Sequence, residues 1–375
     1  MSVRLLARGL GTAGAAAAGV LGTQAAYVYG SFVLPPDATG PNSGVAPGSP
    51  RWFRRPQRKN IIFIGDSLVS GVGCRAERGE GPTLPRRVAE HVAEELKVDV
   101  KWTALGETGA SVDIIQHQLL PLLQREAAAS SGTGERVDAV VIMCGLNDLK
   151  ECFLAMNPAR HPGHSPPIFS HPSHTHTPIF VPYEFVHLYH RHMCVALCRA
   201  AATMRHLFFS RESSGAVSRD SRPHPRTRHP HLPPAHSSPH EMPHTDAPLS
   251  LPLPPSGAFR EQLRDLLESI REATGAHSVM VLPAVPMGEA PRFSNVWPLS
   301  QLVKGAASLW EGQKRVLVDS FPPGAVFNVD EPPGIKAELH FCKDGMHPND
   351  GGYELWADHI ARGLIQSKVF RTRRP

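Results

Sequence analysis

Five short apolar or β-branched runs punctuate the chain: Asn60–Gly65, Val98–Leu105, Asp138–Cys144, Val279–Val285 and Ala325–Val329. Each is bounded by Gly, Pro or Asp, as strands are. Between and after them lie Thr83–Leu96, Ser111–Gln124, Phe259–Thr274, Leu299–Val318 and Gly351–Ile365, with apolar residues at three- and four-residue steps. Phe259, Leu263, Leu266, Leu267 and Ile270 form the clearest stripe, and Leu355, Trp356 and Ile360 share one side of the last helix. Strand–helix alternation of this kind predicts an α/β domain of three layers. A mostly parallel five-stranded sheet would be covered by helices on both faces. Folds of this type hold their ligands beyond the carboxyl ends of the strands, so the residues at those ends are the ones to read for chemistry.

Two segments do not fit the alternation. The first 36 residues contain no acid, and Arg4 and Arg8 precede an uncharged run from Gly9 to Pro36. That run is long enough for a membrane span of about 20 residues, although Gly, Ala, Thr and Gln dilute it. It reads as a signal anchor or a cleaved secretory signal, placing the protein at a membrane or in the secretory pathway. An organelle transit peptide and a plain tail are the alternatives. Residues 37–56 read as a Pro/Gly linker. The second segment, 157–257, holds 15 of the 21 His and nearly half of the 37 Pro. Proline fixes φ and removes a donor, so stretches such as Arg222–His244 cannot sustain a helix or a central strand. Apart from an amphipathic piece at Tyr183–Ser210, it reads as a low-complexity insertion in a single domain at 57–375.

Charge and cysteine usage exclude several classes. The net charge is +5, but 1–56 and 157–257 each contribute +4, leaving the scaffold slightly acidic. A nucleic-acid surface needs its Lys and Arg clustered on a folded face, and none is predicted here. Six Cys at irregular positions (74, 144, 152, 194, 198 and 342) make neither a disulfide framework nor a C-x-x-C zinc module. His-Pro repeats without helical spacing are read as a tolerated loop, and no cofactor or metal is predicted.

The strand ends carry four notable blocks. The first strand runs into Gly65-Asp66-Ser67-Leu68, and the second into Gly106-Glu107-Thr108-Gly109-Ala110-Ser111. The third runs into Gly145-Leu146-Asn147-Asp148. Asp344-Gly345-Met346-His347-Pro348-Asn349 precedes the last helix. Each block alone is common, but three of them at the ends of successive strands are not.

In this order the blocks resemble those of the SGNH, or GDSL-type, serine hydrolases, a flavodoxin-like fold. The resemblance spans the scaffold around the insertion. It implies an esterase or lipase in which Ser67, Gly109, Asn147 and His347 fill the four family positions, with Asp344 in the matching Asp-x-x-His. The chemistry is coherent by itself. A serine hydroxyl needs an adjacent base, which His347 can be, and Asp344 three residues earlier can reach the other ring nitrogen. Ser67 N–H, Gly109 N–H and the Asn147 amide would form an oxyanion hole. Gly106 competes with Gly109 for the second position. Asp66 and Asp148 are expected to brace their turns. The second strand lacks the Asn that often precedes the family's second block.

The remaining candidates read as structure. His91, His117, His277, His340 and His359 read as solvated or partly buried residues, Cys144 as core, and Trp297, Trp310 and Trp356 as packing. The loop Val285–Pro298 and the chain from Leu149 onward would shape specificity. The insertion leaves the scaffold beside the site and is expected to cover or gate it. An ester substrate follows, with lipid or acyl esters preferred and membrane association through 9–36. An O-acetyl carbohydrate esterase is the alternative. A silent scaffold protein built around the His/Pro segment is a reading from another class, which a fluorophosphonate probe would separate from an enzyme.

Overall fold

The computed structural model describes residues 19–48 apart from 26 and 29, then 58–75, 79–132, 134–155, 255–367 and 370. Six strands form one sheet: β1 (Ser43–Ala46), β2 (Arg58–Gly65), β3 (Asp99–Gly106), β4 (Ala139–Met143), β5 (Val279–Pro283) and β6 (Val326–Val329). Their order is β1-β3-β2-β4-β5-β6, parallel throughout except for β1, which pairs antiparallel with β3. The sheet therefore has one strand more than the five expected. The extra one, Ser-Gly-Val-Ala, falls in the segment read as a linker; it is too short and too poor in β-branched residues to announce itself, and it occupies an edge.

Alternation along β2 divides the core. Ile61 and Phe63 face one side, with α2 (Thr83–Leu96) and α7 (Asp350–Gln366) packed over them through Val88, Val92, Trp356 and Ile360. Ile62 and Ile64 face the other side, under α3 (residues 112–132), α5 (Pro255–Thr274) and α6 (Leu299–Ser320). Here α3 begins at Val112–Ile114, passes one π turn at Ile115–Leu119 and continues over Leu120–Gly132. Two short helices lie at the strand ends: α1 (Ser67–Ser70) after β2 and α4 (Leu146–Ala155) after β4. The chain moves outward from β2 to β3 and then returns across β2 to β4, so the order reverses at β2. Ligand crevices form at such a reversal.

The segment read as an insertion falls between α4 and α5, and its residues 157–254 lie outside the described ones. α5 starts at Pro255, where a first-turn proline forfeits no helical hydrogen bond. The Tyr183–Ser210 piece and the Arg222–His244 stretch lie outside the described residues. Among the described residues, no helix is long and apolar enough to cross a membrane. Residues 19–25 are helical.

Candidate active site

Ser67 is the first residue of α1, at the mouth of the crevice. β2 and β4 approach so closely there that a Cβ on Gly65 would sit 2.3 Å from the Met143 carbonyl oxygen, which explains the glycine. Asp66 caps α1, with its Oδ1 accepting the Leu68 N–H at 3.0 Å. The expected brace is thus an N-cap. The second carboxylate oxygen, Oδ2, is buried without a hydrogen-bond partner among the described residues. Burial pushes the Asp66 carboxyl up to about 6.

His347 reaches Ser67 from the loop before α7. Its Nε2 lies 2.9 Å from Ser67 Oγ, and its Nδ1 lies 2.6 Å from Asp344 Oδ2. The other Asp344 oxygen accepts the backbone N–H groups of Met346 and His347, at 3.0 and 3.1 Å. Burial alone would raise the Asp344 carboxyl. The His347 ring and these two N–H groups outweigh it and hold the carboxyl below its ordinary value. With Nδ1–H donated to Asp344, Nε2 is left as the acceptor for the serine hydroxyl. Ser67, Asp344 and His347 are all buried.

The other two blocks close on the same point. Gly109 has φ +89°, and a Cβ there would meet nothing within 4 Å, so it borders open space. Gly106 differs: a Cβ would strike Ser70 N at 2.4 Å, and its register partner is Gly65. Gly106 is therefore a packing glycine between β3 and α1, and the open position belongs to Gly109. Asn147 lies in the first turn of α4, not in a loop. Its Nδ2 donates to the Ala110 carbonyl at 3.0 Å, and its Oδ1 accepts from Lys150 Nζ at 3.0 Å. Those two contacts fix which end of the amide faces the Gly109 turn.

Several neighbours escaped sequence reasoning. Lys314 is fully buried under the β4 turn. Its Nζ donates to the Pro283 carbonyl at 3.2 Å and to Glu311 Oε1 at 2.9 Å. Burial alone would lower its pKa, but Glu311 outweighs this and holds the ammonium above its ordinary value. The signal was present: Lys314 continues the stripe Trp310, Lys314, Leu317 on the buried side of α6. The N-terminal segment was missed altogether as part of the site. Phe32 lies 6.5 Å from the His347 ring, centroid to centroid, tilted by 38°. Arg292, in the loop expected to vary, donates to the Val28 carbonyl and the Ser31 hydroxyl and stands over the Phe32 ring. Asp37 Oδ1 accepts from Ser70 Oγ at 2.8 Å and from Thr108 Oγ1 at 2.6 Å.

The remaining side chains divide between core and surface. Cys144 is buried in the core, and burial raises its thiol well above the ordinary value. Trp310 and Trp356 pack in the two cores, whereas Trp297 is 74% exposed and contributes no such packing. His117 pairs with Asp113 and His91 with Glu354, both on the surface. Among the described residues, no cluster of three or more His, Cys, Asp or Glu could hold a metal ion.

The sheet thus brings a serine hydroxyl, an imidazole and a carboxylate into line at its switch point. The sequence model of the GDSL-like lipase/acylhydrolase family matches residues 63–203. Over those residues, which include Ser67, Gly109 and Asn147, the chain is similar to that family. No curated protein matches it. Solved structures with a similar arrangement include a lipase from a goat-rumen metagenome, at 13% identity and TM-score 0.44, covering 83% of this chain and 99% of that one. A family 3 carbohydrate esterase of Clostridium thermocellum has 11% identity and TM-score 0.38, covering 82% and 99%. A lipolytic G-D-S-L family protein of Veillonella parvula has 13% identity and TM-score 0.37, covering 83% and 100%.

Proposed function

We propose that the chain hydrolyses carboxylic esters through an acyl-enzyme on Ser67, with His347 as general base and then general acid, and Asp344 orienting it. The observation that carries this reading is the unbroken relay from Ser67 Oγ through His347 to Asp344, at 2.9 and 2.6 Å. His347 Nε2 takes the serine proton as Oγ attacks the carbonyl carbon. The carbonyl oxygen becomes an oxyanion received by Ser67 N–H, Gly109 N–H and Asn147 Nδ2. The intermediate collapses, the bond to the alcohol oxygen breaks, and the imidazolium returns its proton to the leaving alkoxide. Water then attacks the acyl-enzyme by the same route.

We assign the substrate class as lipid or acyl esters. Beside His347, Leu68, Leu146, Val285, Met287 and Met346 line a small apolar pocket. Tyr27, Val33 and Leu34 in the N-terminal segment, and Trp297, whose carbonyl accepts from Gln24 of that segment, leave large apolar side chains exposed, a surface that suits an apolar substrate.

Fluorophosphonate labelling tests the nucleophile. The wild-type chain should be labelled and should hydrolyse p-nitrophenyl esters, and Ser67→Ala should lose both while melting within a few degrees of wild type. Labelling that survives in Ser67→Ala overturns the assignment. Comparing p-nitrophenyl acetate, octanoate and palmitate tests the class; a sharp preference for acetate favours an O-acetyl esterase instead.

A further inference from the structure

The N-terminal segment reaches the loop after β5, the His347 ring, the helix that starts at Ser67 and the turn before Gly109. Gln24 exchanges hydrogen bonds with the far loop: its Nε2 donates to the Trp297 carbonyl at 2.6 Å, and its Oε1 accepts from Leu299 N at 3.3 Å. Arg292 grips the next turn through Val28 and Ser31 and lies 5.6 Å from the Phe32 ring. Its own N–H donates to the Gly345 carbonyl at 2.9 Å, inside the His347 loop. Farther along, the Pro36 carbonyl accepts from Gly73 N at 3.4 Å, and Asp37 is held by Ser70 on the nucleophile helix and by Thr108 beside Gly109. The described residues between Gln24 and Asp37 thus form a strap fastened at both ends, passing His347 at Phe32.

We infer that this strap is one wall of the substrate cleft, and that Phe32 is a specificity-determining residue for the alcohol half of the ester. The inference rests on the triad assigned above. In acyl transfer the general acid must lie beside the leaving oxygen to protonate it, so the group attached to that oxygen extends on the imidazole side of the carbonyl carbon. Phe32 is the aromatic ring packed against that imidazole, held from behind by Arg292. It is half-buried, so part of its apolar surface remains for a ligand. A flat, apolar alcohol gains contact with that ring, whereas a one- or two-carbon alcohol is too short to use it. The acyl half extends the opposite way and leaves Phe32 untouched.

The experiment separates the two halves of the substrate in the full-length chain. One pair of esters varies the alcohol at fixed acyl group (1-naphthyl acetate against ethyl acetate), and the other varies the acyl group at fixed alcohol (p-nitrophenyl octanoate against acetate). In Phe32→Ala the naphthyl-to-ethyl ratio of kcat/KM should fall about tenfold, mainly through KM, the scale expected when a pocket loses apolar contact. The octanoate-to-acetate ratio should stay within twofold. Phe32→Leu should fall in between. A changed acyl ratio with a constant alcohol ratio overturns the inference, and so does constancy of both. If Phe32→Ala fails to fold, Arg292→Gln loosens the strap and is read by the same two ratios. These ratios are measured on active enzyme, so they are independent of the Ser67→Ala result on which the triad stands or falls.

Discussion

Asp148 Oδ1 accepts the backbone N–H of Val112 at 2.9 Å. The residue after Asn147 is thereby bonded to the start of α3, three residues beyond Gly109. The sequence suggested that Asp148 braces its own turn; its carboxylate interacts with the Gly145 and Asp148 backbone N–H groups there and braces the neighbouring turn as well. Its bond and that of Asn147 to Ala110 together set the spacing of the two groups proposed as oxyanion donors from different strands.

Asp148→Ala should therefore slow turnover without touching substrate. Removing the acceptor leaves a buried N–H unpaired, a loss of about 1–3 kcal/mol, and frees the Gly109 turn. We expect kcat to fall at least tenfold with little change in KM, and the melting temperature to drop by several degrees. Unchanged kcat in a destabilised variant would show that the bond serves the fold alone.

Asp344→Asn tests the orienting carboxylate. Asparagine can keep the backbone N–H bonds, but its amide favours the wrong imidazole tautomer, which should cost roughly 10³–10⁴ in kcat. Because the Asp344 carboxyl is held below its ordinary value, its stabilising contribution is present above the unfolded value of about 3.9 and is lost as pH falls through the folded one. Chemical denaturation at pH 3 to 7 should show the wild type losing its advantage over Asp344→Asn towards the acid end.

Asp66 has the opposite sign. With its carboxyl raised to about 6, the folded chain keeps a proton that the unfolded chain has already released above pH 4. Stability consequently falls as pH rises from about 4 to about 6 and stays reduced above that. Asp66→Asn removes this dependence. Each pH unit between the folded and unfolded titrations is worth about 1.4 kcal/mol, so relative to wild type the variant should gain up to about 3 kcal/mol from pH 4 to pH 7. Urea midpoints at pH 4, 5 and 7 measure it, and a difference independent of pH would contradict the burial argument.

Lys314→Met leaves Glu311 without its cation beneath the β4 turn. Breaking a buried pair from one side typically costs about 3–5 kcal/mol, so a large drop in the unfolding midpoint is expected. The double variant Lys314→Met, Glu311→Met should recover much of it. If the single substitution is neutral by chemical denaturation, the pair is not holding the turn.

The scaffold was legible because a parallel sheet writes itself as apolar runs. β2 was expected from Asn60 and begins at Arg58, and β5 was expected to Val285 and ends at Pro283; the four blocks lie at the strand ends and in the loop before α7, where their order put them. What escaped had no local signature. β1 is four small residues whose pairing with β3 is set by tertiary packing. α3 outruns its predicted end at Gln124 through an alanine-rich stretch lacking a strong stripe, although such residues favour helix. The strap was hidden most completely. An acid-free, Gly- and Ala-rich segment reads as a leader, and nothing in its composition announces that Phe32 and Asp37 meet residues far along the chain.

The break between α4 and α5 has a consequence for assembly. β4 and β5 are hydrogen-bonded neighbours, yet Ser67, Gly109 and Asn147 lie before the break, while Asp344 and His347 lie after it. Two separately produced pieces, ending at 155 and starting at 255, would each carry half of the chemistry and one edge of an unfinished sheet. Recovered esterase turnover on mixing them would be a direct optical readout of sheet closure, turning the enzyme into its own complementation reporter.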